Sequence, residues 1–208
     1  MDNQSIYITT MSGRRFFYDD IEASEVAIND IAHSLARLVR YCGHVNTANS
    51  IYSVGQHSVL VAQFVFQRPI SGKMRWLPLA ALLHDAPEYV IGDMPGPLKK
   101  WLRNNSGIFD KLEQEIAHHI ERVYELPVDA FEHPVIKHAD LAIRHNEANA
   151  FCSGAKNLCA VTDHNTDGIG PLDIEPMRVW SIDETYNQFI TAFLNYEALI
   201  KSEHLTST

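Results

Sequence analysis

The sequence predicts an all-α protein: a bundle of about six helices, with a small β-hairpin before it, in a single domain over residues 1–208. Three observations support this. Apolar residues recur at helical spacing along most of the chain, helix-start signals precede several of these stretches, and β-prone runs occur only near the N-terminus. The 208 residues suit one domain, and 46% hydrophobic with 21% charged residues is typical of a globular protein.

The first elements are a hairpin and a long helix. Two short β-prone runs within residues 6–18 flank Met11-Ser12-Gly13, which predicts a tight turn between two strands. Apolar residues then fall on one face over residues 28–41, which predicts a helix that stops at Gly43.

Two further helices follow in the first half of the chain. Ser53 and Gln56 have the spacing of a capping box, so a helix is expected to start at Ser53. A third is predicted over residues 77–86, where Pro87 ends or kinks it. A short helix is predicted over residues 98–102.

The second half of the chain contains three predicted helices and a long loop. Two helices are expected near residues 110–124 and Pro134–Phe151. Residues 153–180 are rich in Gly, Asp, Pro and Asn, which indicates a loop. The last helix begins at Ser181, because Ser181 and Glu184 again have capping-box spacing.

The charge balance and the N-terminus limit the partners and the compartment. With 17 Lys+Arg against 26 Asp+Glu, the net charge of −9 argues against binding duplex nucleic acid, which needs a basic surface. No secretory signal and no run of about 18 apolar residues is visible, so we expect a cytoplasmic protein without a membrane partner. Cys42, Cys152 and Cys159 form no CxxC pair and are expected to be buried reduced thiols.

Four ionisable residues stand within or beside apolar helices: His57, His84, Asp85 and Asp140. An ionisable group there costs free energy unless it is paired or bound to a metal. Imidazole and carboxylate ligands together suit a divalent cation such as Mn, Fe, Co, Zn or Mg. A single histidine on a helix is more often a surface or hydrogen-bonded residue, so the metal hypothesis depends on all four residues and on their surroundings.

Three segments around these residues resemble the HD-domain metal-dependent phosphohydrolases. They read YSVGQHS at residues 52–58, LHDAPE at 83–88 with GDMP at 92–95, and IKHAD at 136–140. Their order and separation match the H…HD…D metal signature of that superfamily. The closest likeness is to bacterial 5′-deoxynucleotidases and to phage-type HD proteins, which include dATP triphosphohydrolases.

This resemblance implies a helical HD-domain fold and a metal site. His57, His84, Asp85 and Asp140 match the positions that ligate one divalent cation, whether Mn, Co, Zn, Mg or Fe. The resemblance also implies self-association into a homo-oligomer and a small nucleotide as substrate.

Two catalytic residues are implied by the same motifs. Glu88 matches the position that activates or orients the attacking water in the nucleotidases. Asp93 matches the position that contacts the sugar and the reaction centre. Either carboxylate would accept a proton during metal-assisted hydrolysis.

Four residues are candidates for substrate binding. Arg40, with Tyr41 beside it, matches the basic residue near the phosphate, although a solvated helix end is an equal alternative for Arg40. His44 could touch phosphate or be a turn histidine. Lys99 belongs to a basic cluster that is either close to the active segment or a solvated face.

Three functions compete. The first is hydrolysis of a deoxynucleotide: a dNTP to a deoxynucleoside and triphosphate, with dATP a candidate, or a dNMP to a deoxynucleoside and phosphate. The second is (p)ppGpp hydrolysis, which is less favoured because Tyr89 occupies the place of the second acid in the HDxxED pattern of that branch. The third is a nucleotide-binding module that has the fold without catalysis, which the intact set of acids and histidines argues against.

Overall fold

The described part of the protein is mostly helical, with a two-stranded sheet at its N-terminus. A computed structural model describes residues 5–47, 50–70, 72–152 and 178–206. The helices are α1 Ile28–Leu35, α2 Val54–Phe66, α3 Leu77–Leu83, α4 Glu88–Ile91, α5 Gly96–Asn105, α6 Ile108–Val123, α7 Pro134–Phe151 and α8 Ile182–Thr206. The predicted all-α class with a hairpin is therefore confirmed, whereas residues 153–177 of the predicted loop lie outside the described residues.

The predicted hairpin is formed by β1 Tyr7–Thr9 and β2 Arg15–Phe17, which pair antiparallel. Its turn is tied to α1 by the buried carboxylate of Asp30. This carboxylate accepts hydrogen bonds from the Thr10 hydroxyl at 2.8 Å and from the Ser12 backbone N–H at 2.9 Å. The charge of Asp30 is thereby paired with donors inside the fold.

The first helix is shorter than the predicted span of residues 28–41. The backbone beyond its end pairs with the segment before α2: Val54 N donates to Leu38 O, and Arg40 N donates to Tyr52 O, each at 2.9 Å. The Leu38 carbonyl and the Arg40 N–H are therefore not available to continue the hydrogen bonds of α1. The prediction of a helix to residue 41 is wrong for this reason, and Arg40 begins a short turn against α2.

The start of α2 is the predicted cap, although only half of the capping box forms. The Ser53 hydroxyl accepts a hydrogen bond from Gln56 N at 3.2 Å. The Gln56 side chain does not return to Ser53, because it bonds to the backbone at Arg178 O (2.7 Å) and Trp180 N (3.0 Å). Gln56 thus fixes the chain just before α8 against the first turn of α2.

Helix α2 is the centre of the core and packs against α3, α7 and α8. Nearly all of its residues are buried, and all of α3 is buried as well. A helix that is covered on every side lacks the polar face of a surface helix. In the part of the chain that the structure describes, no helix is both long and apolar enough to cross a membrane.

The turn between α3 and α4 carries the His-Asp pair. The helix predicted over residues 77–86 ends at Leu83, and tighter bonds follow: Ala86 N donates to Leu83 O at 2.8 Å, and Glu88 N donates to Asp85 O at 3.1 Å. Pro87 has no backbone N–H, which explains the break that the sequence predicted there. His84 and Asp85 therefore follow directly on a fully buried helix.

The remaining helices agree closely with prediction, apart from α5, which extends beyond residues 98–102 at both ends. Helix α7 has the predicted bounds, and the Ser181 hydroxyl accepts a hydrogen bond from Glu184 N at 3.1 Å, as its capping role predicts. The expectation of buried thiols is wrong for Cys42, which is exposed on the turn after Arg40.

Candidate metal centre

Three of the predicted metal ligands meet in the core. His57 comes from α2, His84 follows α3 and Asp140 comes from α7, and one ligand atom of each lies within 4.8 Å of the others. The Nε2 atom of His57 is 3.1 Å from Asp140 Oδ1, and the two imidazole rings have centroids 5.4 Å apart. This group could hold a metal ion.

Asp85, the fourth predicted ligand, borders the same group. Its Oδ2 atom lies 3.6 Å from His57 Nε2 and 3.4 Å from His84 Nε2. It also lies 3.3 Å from a guanidinium nitrogen of Arg40. The structure thus brings the four residues together, with Asp85 shared between the histidines and an arginine.

The two imidazoles present the atoms that a cation would need. The Nδ1 atom of His84 is 2.7 Å from the carbonyl oxygen of Ala81, which can only accept, so Nδ1 carries the proton. The Nε2 atoms of His57 and His84 are both buried and have no hydrogen-bond partner among the described residues. Two unsatisfied imidazole nitrogens beside two carboxylates are a donor set that fits a divalent metal.

The charges around His57 favour a positive charge at this point. Burial and the positive charge of Arg40 act to lower the pKa of His57, but the carboxylates of Glu147 and Asp140 outweigh them and raise it to about 9. Burial acts to raise the pKa of Asp140, yet His57 and the neighbouring Arg144 hold it well below its usual range. The Asp140 carboxylate therefore remains ionised beside His57.

The three predicted substrate residues of the turn before α2 differ in position. Arg40 is only 7% exposed, so the alternative of a solvated helix end is wrong. The hydroxyl of Tyr41 donates a hydrogen bond to the buried carboxylate of Glu147 at 2.6 Å. His44 is exposed. Only Arg40 and Tyr41 are therefore in contact with the cluster around His57.

Glu88 and Lys99 form a second group of ionisable side chains near Asp85. Glu88 is buried at the start of α4, and its Oε1 atom is 3.4 Å from the Lys99 ammonium, which also donates to Glu113 at 2.7 Å. Burial and the negative charge of Asp85 raise the pKa of Glu88 to about 9. Burial also raises the pKa of Asp93, which is half-buried.

Comparison with known proteins establishes the kinship of the chain. No family model matches it. The uncharacterized protein YfdR of Escherichia coli is 38% identical over 141 residues, which cover 68% of this chain and 70% of YfdR. The chain belongs to the YfdR family. An uncharacterized protein of Rhodobacter capsulatus is 49% identical to this YfdR-family chain over 90 residues, which cover 43% of the chain and 44% of that protein.

The site of this YfdR-family protein contains one buried acid that was not predicted, Glu147. Its Oε1 atom lies 2.5 Å from His57 Nδ1. A signal was present in the sequence, because Glu147 follows Asp140 by two helical turns and shares the buried stripe of Ile136 and Ile143. An acid on such a stripe is the same signal that singled out Asp140.

Proposed function

We propose that this protein is a metal-dependent phosphohydrolase that removes phosphate or triphosphate from deoxynucleotides, with dATP as one candidate substrate. The observation that carries the proposal is the convergence of two buried, unsatisfied imidazole nitrogens with the carboxylate of Asp140. The order of the motifs adds to it, since the H…HD…D pattern resembles that of the HD-domain phosphohydrolases.

His57, His84 and Asp140 would hold the ion, with Asp85 as the fourth ligand. A divalent cation in such a site supplies Lewis acidity toward a phosphoryl oxygen and the attacking water. Asp85 and Asp140 are the more accessible members of the group, with about a fifth of each side chain exposed, whereas His57 has no exposed surface. A ligand would therefore approach from the side of the two carboxylates.

Glu88 would move the proton. Because the negative charge of Asp85 is one reason for its raised pKa, neutralising Asp85 lowers the pKa of Glu88. A carboxyl group that can lose its proton near neutral pH is suited to general acid–base catalysis. Asp93, which is half-buried, would be the second carboxylate at the reaction centre.

Arg40 would supply positive charge toward the phosphoryl group. Arginine stays protonated throughout the physiological pH range, and its planar guanidinium matches the geometry of phosphate oxygens. Its nitrogen lies 3.3 Å from Asp85, so the charge stands next to the proposed metal ligands. Lys99, 3.4 Å from Glu88, would add a second cation near the same carboxyls.

The competing (p)ppGpp hydrolase is less favoured. The position of its second acid is held here by Tyr89, a core residue whose ring packs edge-on against buried Phe16 with centroids 5.8 Å apart. An acid in such an apolar setting would be costly. The third alternative is a non-catalytic module, and a measurement of substrate turnover distinguishes it from an enzyme.

The test is a substrate panel of dNMPs, dNTPs, NTPs and ppGpp, each with Mn²⁺, Co²⁺, Mg²⁺ or Zn²⁺. Released phosphate, pyrophosphate and triphosphate are measured separately, with Asp85→Ala as the control for contaminating phosphatases. We expect turnover of a deoxynucleotide that requires metal and is lost in Asp85→Ala. Absence of turnover for every dNMP and dNTP, or equal turnover by the variant, would contradict the proposal.

A further inference from the structure

Glu147 lies behind the candidate metal centre and has no solvent-exposed side-chain surface. Its two carboxylate oxygens are surrounded by donors. Oε1 is 2.5 Å from His57 Nδ1 and 2.7 Å from the Tyr52 hydroxyl, whereas Oε2 is 2.6 Å from the Tyr41 hydroxyl and 3.4 Å from Arg40 Nε. Three of these contacts are hydrogen bonds and the Arg40 contact is an ion pair, so both oxygens of the carboxylate have partners.

The contacts of Glu147 are those of a carboxylate that accepts. The hydroxyls of Tyr41 and Tyr52 donate to it, and the guanidinium of Arg40 lies beside it. A buried carboxylate is tolerated when it is paired with a cation and hydrogen-bonded in this way.

The Glu147 carboxylate determines the tautomer of His57. A carboxylate can only accept, so the His57 Nδ1 atom that faces it must carry a proton. In the neutral imidazole, the lone pair is then on Nε2, the atom that lies 3.1 Å from Asp140 Oδ1. His84 has an equivalent restraint from a backbone carbonyl, whereas His57 depends on a side chain that can be changed by mutation.

We infer that Glu147 is a positioning residue of the metal centre, which holds His57 with Nε2 toward the ion and fixes Arg40 beside it. This inference rests on the proposed metal site. Metal-binding histidines commonly donate their other N–H to a carboxylate, which sets the tautomer and the direction of the ring. Here one carboxylate also contacts the arginine proposed to face the phosphoryl group.

The backbone before α2 is consistent with this role. Tyr41 and Cys42 have positive φ angles of 56° and 51°, a left-handed conformation that is unfavourable for residues other than glycine. The 2.6 Å bond from Tyr41 to Glu147 helps to hold this turn. Tyr41 was predicted to bind substrate, but its hydroxyl is directed at Glu147. Tyr41 would therefore help to position Arg40, which lies over its ring.

The test measures metal affinity without any substrate. Glu147→Gln keeps the size of the side chain. Its amide NH₂ group is a donor, and it would face the donors that now contact the carboxylate. We expect the affinity for Mn²⁺, measured by titration calorimetry, to fall by about 10–100-fold. Tyr52→Phe is the matched control: it removes one donor to the same carboxylate but leaves the contact with His57, so the decrease should be much smaller. Equal affinity of Glu147→Gln and the wild type would overturn the inference.

A second measurement needs no variant and covers the case in which Glu147→Gln does not fold. In the wild-type protein loaded with Zn²⁺, ¹⁵N NMR of the imidazoles should show His57 with a proton on Nδ1 and zinc on Nε2. Coordination through Nδ1 would overturn the inference. If the wild type binds neither metal, the proposed function fails as well, whereas metal binding and turnover that survive Glu147→Gln would refute the positioning role alone.

Discussion

Gly55→Ala tests how tightly the start of α2, which carries His57, is packed. A β-carbon at residue 55 would lie 2.9 Å from Thr185 Cγ2 and 3.0 Å from both Ala36 N and Leu35 C. Ordinary contacts begin at 3.4 Å, so each pair must separate by roughly half an ångström. Two of the three atoms are backbone at the buried end of α1, and Ala36 N is itself bonded to Ala32 O.

The expected cost follows from this overlap. Overpacking of a rigid core lowers the free energy of unfolding by about 1–3 kcal/mol. The better helix propensity of alanine offsets up to about 1 kcal/mol of this loss. We therefore expect a net loss of about 1–2 kcal/mol. For a chain of this size each kcal/mol lowers the melting temperature by about 2–4 °C, so Gly55→Ala should melt about 2–8 °C below the wild type.

The assay is thermal unfolding followed by circular dichroism, with Gly96→Ala as the matched control. A β-carbon at Gly96, the first residue of α5, meets no atom within 4 Å. The control should be unchanged or more stable, by about 0.4–1 kcal/mol at most, because alanine restricts the unfolded chain. If Gly55→Ala melted with or above Gly96→Ala, the packing of α2 against α1 and α8 described here would be refuted.

Three further predictions concern the core and the site. Leu82→Ala, at a fully buried residue of α3, should lower the free energy of unfolding in urea titrations by about 2–5 kcal/mol. Leu194→Ala, at a residue that is 57% exposed, should change it by less than about 0.5 kcal/mol, and equal effects of the two variants would contradict the assigned core. Glu88→Gln should reduce turnover by about 10²–10⁴-fold while the protein still binds metal, and an unchanged rate would exclude Glu88 from proton transfer. EDTA should lower the melting temperature of the wild type but not that of His84→Ala, because a metal ion whose free concentration is 100 times its dissociation constant stabilises the folded state by about 2.7 kcal/mol. An equal response in both proteins would place the metal elsewhere.

Helix starts could be predicted from the sequence because their signals are local. Ser53 caps α2 through an amide three residues away, and Ser181 does the same before α8. The end of α1 could not be predicted, because the groups that replace its ladder come from Tyr52 and Val54, across a turn. Helical periodicity continues through residue 41 without any sign of that pairing.

In the candidate site, too, local motifs could be predicted from the sequence and contacts between distant residues could not. His57, His84 and Asp140 were predicted because a short motif surrounds each of them. The structure adds what the motifs do not contain, which is the partner of each ligand. Glu147 contacts Tyr41, Tyr52 and His57, all of which precede it by 90 residues or more, so no local pattern links them.

The metal content of the purified protein tests the central claim most directly. After equilibration with Mn²⁺ and removal of free ions, mass spectrometry should find one ion for each wild-type chain and nearly none in Asp140→Asn. His118→Ala, which changes a half-buried histidine on α6, should retain the ion. Equal metal content in the wild type and Asp140→Asn, or a loss as large in His118→Ala, would show that His57, His84 and Asp140 do not form the site.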